Sequence, residues 1–175
     1  FGTPMPHETN VDLGIMDPDY INIVFNGHQP WVGVATMLKA RTPEVQERAR
    51  EAGAKGLRIV GSIETGQELL QRYGMDDIFV GLMGNWLSIE PLLATGTVDV
   101  FTMEENCSPP AIGRYADKYQ VTMVSVNDIV RIPGLRHTYD YKPPEADFIA
   151  DRLIELGIEN FKRRKGAVKP LVPQI

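Results

Sequence analysis

The sequence predicts an α/β protein: a doubly wound, mostly parallel sheet of about five strands with helices on both faces. Three observations carry that expectation. Short β-branched, apolar runs alternate along the chain with stretches at helical spacing. Roughly 20 to 40 residues make up each unit, enough for a helical crossover between parallel strands. And 175 residues, 43% hydrophobic and 23% charged, suffice for one sizeable core.

Residues 1–18 hold Pro4, Pro6, Asp12 and Pro18 without a sustained period and read as an irregular lead-in. A single α/β domain is expected over 19–166. Tyr20–Phe25 is a β-rich run stopped by Asn26-Gly27, and Val32–Arg41 is helical. Thr42 then offers an N-cap and Pro43 a first helical residue, for a helix closing near Gly53. Leu57–Val60 is the second strand, ended by Gly61, and Gln67–Tyr73 a helix ended by Gly74. The third strand is Ile78–Leu82, followed by helix Leu87–Ala94. Strand Val98–Met103, helix Ala111–Tyr119 and strand Val121–Val126 continue the alternation. A loop with Pro133 and Pro143-Pro144 leads to the longest helix, Glu145–Arg163, patterned by Phe148, Ile149, Leu153, Ile154 and Ile158. The extended tail 167–175 is expected to lead into a following domain of a longer protein. No internal repeat is visible, so the architecture is Rossmann-like rather than an array.

The charge balance excludes several classes of function. Eighteen Lys+Arg against 23 Asp+Glu leave a formal charge of −5, which argues against a nucleic-acid footprint or a polybasic membrane surface. The basic run Lys162–Lys165 is expected to complement the negative end of the last helix and face solvent. No window reaches about 18 consecutive apolar residues, and no basic stretch precedes an apolar one near the start, so a cytoplasmic location is expected. One cysteine, Cys107, rules out a disulfide framework, a CxxC zinc site or a ferredoxin-type cluster built by this chain alone.

In a doubly wound sheet the loops leaving the carboxyl ends of the strands lie side by side and form the ligand crevice. Here they are Asn26-Gly27-His28-Gln29-Pro30, Gly61–Gly66, Gly84-Asn85-Trp86 and Glu105–Pro110. A histidine, a glutamate and the only cysteine therefore reach one edge: His28, Glu64 and Cys107. Each has a plainer reading. His28 could cap the next helix, Glu64 could sit against a helix dipole, and Cys107 could be a small apolar residue. A Cys-His-Asp-type nucleophilic site would need His28 as the base beside Cys107, but Glu64 would have to orient it across a separate loop. GSIETG lacks the Lys-Ser/Thr of a P-loop, and no GxGxxG follows the first strand. His7 and His137 gain no role from spacing.

The segments INIVFNGHQP, EAGAKGLRIVGSIETGQELLQRYG, LLATGTVDVFTMEENCSPP and LGIENFKRRKG, in that order, resemble the middle α/β domain of anaerobic, nickel-containing carbon monoxide dehydrogenases. The lead-in FGTPMPHETNVDLGIMDPDY resembles the approach to that domain. The resemblance implies that His28 binds the unique iron of a nickel-iron-sulfur cluster and that Cys107 is a thiolate ligand. At the middle ligand the family has Cys-Cys, whereas this chain has Ile63-Glu64. The set His28, Glu64, Cys107 is instead similar to that of the related hybrid-cluster proteins, which use His, Glu and Cys on an iron-sulfur-oxygen cluster and reduce hydroxylamine or nitric oxide. The wording Gly84-Asn85-Trp86 and Asn106-Cys107-x-x-Pro resembles that side as well.

The resemblance implies a domain that contributes ligands to an iron-containing cluster completed by residues outside the chain. The family reaction is oxidation of carbon monoxide by water to carbon dioxide, with electron transfer, in a homodimeric parent acting on a small gaseous or small inorganic substrate. Hybrid-cluster-type reduction and a non-catalytic α/β module are the alternatives. The isolated fragment is expected to be inactive.

Overall fold

The computed structural model describes residues 2–104, 107–127, 129, 131–140 and 142–164. Among them, β1 (Ile21–Asn26), β2 (Leu57–Ser62), β3 (Phe79–Met83), β4 (Val100–Met103), β5 (Thr122–Ser125) and β6 (His137–Thr138) form one sheet. Its order is β3-β2-β1-β4-β5-β6, with every strand parallel to its neighbours. Six helices pack on it: α1 (Trp31–Ala40), α2 (Pro43–Glu51), α3 (Ile63–Tyr73), α4 (Ile89–Ala94), α5 (Tyr115–Lys118) and α6 (Ala146–Arg164).

Every residue of β1 is buried, because both faces of the sheet are covered. Ile21, Ile23 and Phe25 point into a core shared with Val32 and Met37 of α1, Leu69 of α3 and Leu153 and Phe161 of α6. Val24 points the other way, into a second core with Val60, Phe101, Leu92 of α4 and Ala116 of α5. Period-two alternation along one strand thus feeds two cores, and this is why its sequence reads as an unbroken apolar run. Thr42 and Pro43 cap α2 as their chemistry dictates: Thr42 Oγ1 accepts from the Val45 amide, and Pro43 occupies the first turn.

The strand order has a functional consequence. The chain moves outward from β1 through β2 to β3, then returns to pair β4 on the other side of β1 and continues to β5 and β6. The switch point lies between β1 and β4, and ligands in such sheets bind outside the carboxyl ends of the strands at that point. His28 follows β1 and Cys107 follows β4.

The α/β class and the parallel sheet covered on both faces are as expected. The one strand beyond about five is β6, a two-residue pairing, His137 on Val124 and Thr138 on Ser125, too short for a period-two pattern. Several element bounds and side-chain placements need correction. Helix α3 begins at Ile63, directly after β2, rather than at Gln67. The stretches Leu87–Ala94 and Ala111–Tyr119 open as 3-10 turns, Trp86–Ser88 and Pro110–Arg114, before α4 and α5. Phe148 does not join the buried stripe of α6 but stands exposed, edge-on to Tyr139 at 6.4 Å. In the basic run, Lys162 and Arg163 are exposed as expected. Arg164, however, is 3% exposed and clamps Asp99, which is fully buried at the amino ends of the strands.

Residues of the lead-in extend the sheet edge: Val11 bridges Leu82 in parallel, the Asp12 amide donates to the Leu82 carbonyl at 2.9 Å, and the Leu82 amide donates to that of Asn10. The edge strand β3 is covered by this contact. The tail 167–175 lies outside the described residues. Among the described residues no helix is long and apolar enough to cross a membrane.

Candidate metal centre

Each of the three polar residues is delivered by a different strand end. β1 stops at Asn26, and Gly27 turns the chain with φ 134°, a conformation that L side chains rarely adopt. A Cβ there would lie 2.3 Å from Glu104 Cγ, so only glycine lets the turn fold back on the end of β4 and present His28. β2 reaches its helix with no intervening loop. Ile63 takes φ 57°, strained for a β-branched residue, and the turn it makes places Glu64 in the first turn of α3. Gly61 and Gly66 allow this elbow: a Cβ on Gly66 would lie 2.6 Å from the Gly61 carbonyl carbon. Cys107 sits beyond β4.

These elements bring His28, Glu64 and Cys107 together. His28 Nε2 lies 2.9 Å from Glu64 Oε2 and 3.3 Å from Cys107 Sγ, and the three donor atoms are all within 4.8 Å of one another. His28 and Cys107 are half-buried and Glu64 is exposed. Both contacts fall on the same ring nitrogen. A nucleophilic triad needs the carboxylate on one imidazole nitrogen and the thiol on the other, so that the base is oriented while it accepts a proton. Convergence of a nitrogen, an oxygen and a sulfur on one point is instead what a shared cation requires. Bonds of about 2.0 Å to nitrogen and 2.3 Å to sulfur put donors roughly 3.5 Å apart around a tetrahedral ion, so an ion would open the direct contacts of 2.9 Å and 3.3 Å only slightly.

The donor set fits an iron-containing group. Imidazole and carboxylate suit iron, thiolate suits iron-sulfur clusters, and carboxylate is harder than the sulfur ligands that nickel-sulfide chemistry favours. Three donors on one edge leave the opposite side open for ligands from elsewhere, which a chain with a single cysteine must have for a cluster.

Behind the donors lies a buried polar frame that sequence reasoning missed. Asn26, fully buried, donates from Nδ2 to the Cys107 carbonyl at 2.8 Å and to Ser108 Oγ at 3.2 Å, and accepts from Ser62 Oγ at 2.8 Å. The Thr65 amide donates to the Gly27 carbonyl at 2.7 Å, and Thr65 Oγ1 donates to Glu104 Oε1 at 2.7 Å. The readable signal was that Asn26, Ser62 and Glu104 stand at the carboxyl ends of the apolar runs that become the neighbouring strands β1, β2 and β4. Of the other polar residues singled out, Asn85 caps the 3-10 turn through Oδ1 on the Leu87 amide, His7 lies against Gly74, and His137 belongs to β6. None joins the donor cluster.

Comparison with known proteins places this chain in a family. The model of the Prismane/CO dehydrogenase family matches residues 1–171. A carbon monoxide dehydrogenase of Archaeoglobus fulgidus is 53% identical over 94% of the chain, and the beta subunit of carbon monoxide dehydrogenase/acetyl-CoA synthase of Moorella thermoacetica is 35% identical over 100% of it. The chain spans only about a quarter of these relatives, 26% and 25% of their lengths. Carbon monoxide dehydrogenase IV of Carboxydothermus hydrogenoformans superposes on 97% of the chain with a TM-score of 0.85 at 31% identity, over 26% of its own length. A solved acetyl-CoA synthase/carbon monoxide dehydrogenase, described with nickel-zinc and nickel-nickel [Fe4S4] clusters in its alpha subunits, covers the whole chain with a TM-score of 0.88 at 34% identity. It too is matched over a quarter of its length, 25%. With its six-stranded parallel sheet and its match along nearly the whole length, this chain belongs to the Prismane/CO dehydrogenase family.

Proposed function

We propose that the chain is the middle domain of a carbon monoxide dehydrogenase-like oxidoreductase, and that His28 Nε2, the Glu64 carboxylate and Cys107 Sγ are its share of an iron-containing cluster. The observation that carries this reading is the meeting of all three donors at one ring nitrogen on the β1–β4 switch point. When bound, such a cluster supplies the electron-accepting chemistry for oxidation of carbon monoxide by water to carbon dioxide, two protons and two electrons. The chain's own part is to hold three ligands at a fixed spacing and leave one side open. Remaining ligands come, in this reading, from a following domain of the parent. Trp31, Trp86 and Leu87, in the segments after β1 and β3, expose large apolar surface that suits burial against it. The parent is read as a cytoplasmic homodimer that takes a small gaseous substrate.

Glu64 favours a second reading, a hybrid-cluster-type hydroxylamine or nitrogen-oxide reductase, because a carboxylate suits an oxygen-bridged iron better than a nickel-sulfide site. Metal analysis of the anaerobically purified parent separates the two. Iron with nickel supports the dehydrogenase, iron without nickel supports the reductase, and the absence of both overturns the cluster itself. In a modified dehydrogenase centre, Glu64→Cys raises the nickel-to-iron ratio; an unchanged ratio counts against that version. A non-catalytic module would keep its metal content unchanged in His28→Ala and Cys107→Ala.

A further inference from the structure

We propose that Asn26 is the positioning residue that sets the place of Cys107 relative to the other two donors; the inference rests on the metal-centre reading above. One carboxamide spends all its hydrogen-bonding groups on the loops that carry ligands. Its Nδ2 hydrogens go to the Cys107 carbonyl and Ser108 Oγ, and its Oδ1 receives the Ser62 hydroxyl. Asn26 stands two residues before His28, and Ser62 two residues before Glu64, so a single side chain links the approach to each donor. Asn26 and Ser62 are fully buried and Ser108 nearly so, which keeps water from competing for these bonds. None of the three bonds uses a metal-donor atom, so the frame does not compete with a metal for its ligands.

The Thr65 amide on α3 holds the Gly27 carbonyl beside His28, and Thr65 Oγ1 holds Glu104 at the end of β4. Asn26 bonds the ligand residue itself, at the Cys107 carbonyl, and its neighbour Ser108. Loss of the carboxamide therefore acts on the placement of the thiolate. Side chains that hold ligands in place from behind typically contribute about 10- to 100-fold in metal affinity.

Cobalt(II) is a suitable probe, since thiolate-to-cobalt charge transfer reports the cysteine and the ligand-field bands report the whole ligand set. Anaerobic titration of the 175-residue chain with Co2+ is expected to show both signals. Asn26→Ala is expected to bind about 10- to 100-fold more weakly, with the charge-transfer intensity per bound cobalt strongly reduced while ligand-field bands persist. Ser62→Ala, which removes only the hydroxyl that orients the amide, is expected to show a smaller loss in the same direction and keeps the test open if Asn26→Ala fails to fold. A merely structural role lowers the folded fraction but leaves the spectrum of folded, loaded molecules unchanged. Wild-type affinity and charge transfer in the folded variants overturn the role of Asn26. Failure of the wild-type chain to bind Co2+ overturns the positioning role, whereas the cluster reading, whose remaining ligands come from a following domain, falls if the parent holds no iron.

Discussion

Arg164→Met is expected to lower the stability of the chain by about 3–5 kcal/mol, read as a fall in the urea midpoint. Asp99 is fully buried, and Arg164 grips it at both oxygens, Nε to Oδ1 at 2.7 Å and Nη2 to Oδ2 at 3.0 Å. The Asn22 amide and Asn160 Nδ2 complete the set at 2.9 Å and 3.1 Å. Arg164 also donates to the Tyr20 and Pro18 carbonyls, so the pair fastens the end of α6 to the amino edge of the sheet. Removing the cation leaves a carboxylate in a dry site. Burial pushes the Asp99 carboxyl above its ordinary range, while Arg164, the Asn22 amide and Asn160 pull it down. Without Arg164 the upward push gains. A carboxyl whose pKa is higher folded than unfolded stabilises the fold below its unfolded pKa, and that contribution is lost as pH rises through the folded pKa. The deficit of Arg164→Met is thus expected to shrink on acidification from neutral pH. Adding Asp99→Asn is expected to recover part of it. A deficit below about 1 kcal/mol with no pH dependence would place the pair in water instead.

Gly66→Ala is the second large effect. The added methyl would lie 2.6 Å from the carbonyl carbon and 2.7 Å from the Cα of Gly61, and 2.9 Å from Leu82 Cδ2. Two of these are backbone atoms of β2, paired on both sides by β1 and β3, and they have nowhere to go. Overpacking of this kind costs about 1–3 kcal/mol or more, and here it also opens the elbow that holds Ile63 at φ 57° and aims Glu64 at His28. The variant is expected to unfold at lower urea and, in its folded fraction, to bind Co2+ more weakly than wild type. Retention of both properties would mean that α3 can move away from β2 without cost.

The legibility of these features in the sequence follows their physics. Strands buried on both faces produce runs such as Ile21–Phe25 and Leu57–Val60, and their alternation with helices is readable without coordinates. The meeting of His28, Glu64 and Cys107 was readable too, because the fold class says which loops share an edge. The elbow was not: a β-branched residue at positive φ contradicts local propensity, so Ile63 read as part of a glycine-bounded loop. The Asp99–Arg164 pair was hidden because a basic run at a helix end reads as solvated, and only the packing of α6 against the sheet shows one member turned inward. Asn26 and Glu104 were hidden because their bonds span 81 and 39 positions in the chain.

Anomalous diffraction at the iron edge from crystals of the anaerobically purified parent tests the central claim most directly. The expected result is an iron peak at bonding distance from His28 Nε2, the Glu64 carboxylate and Cys107 Sγ together, with the direct contacts between those side chains replaced by contacts to the metal. Iron found only elsewhere, with Glu64 and Cys107 still resting against His28 Nε2, would contradict it.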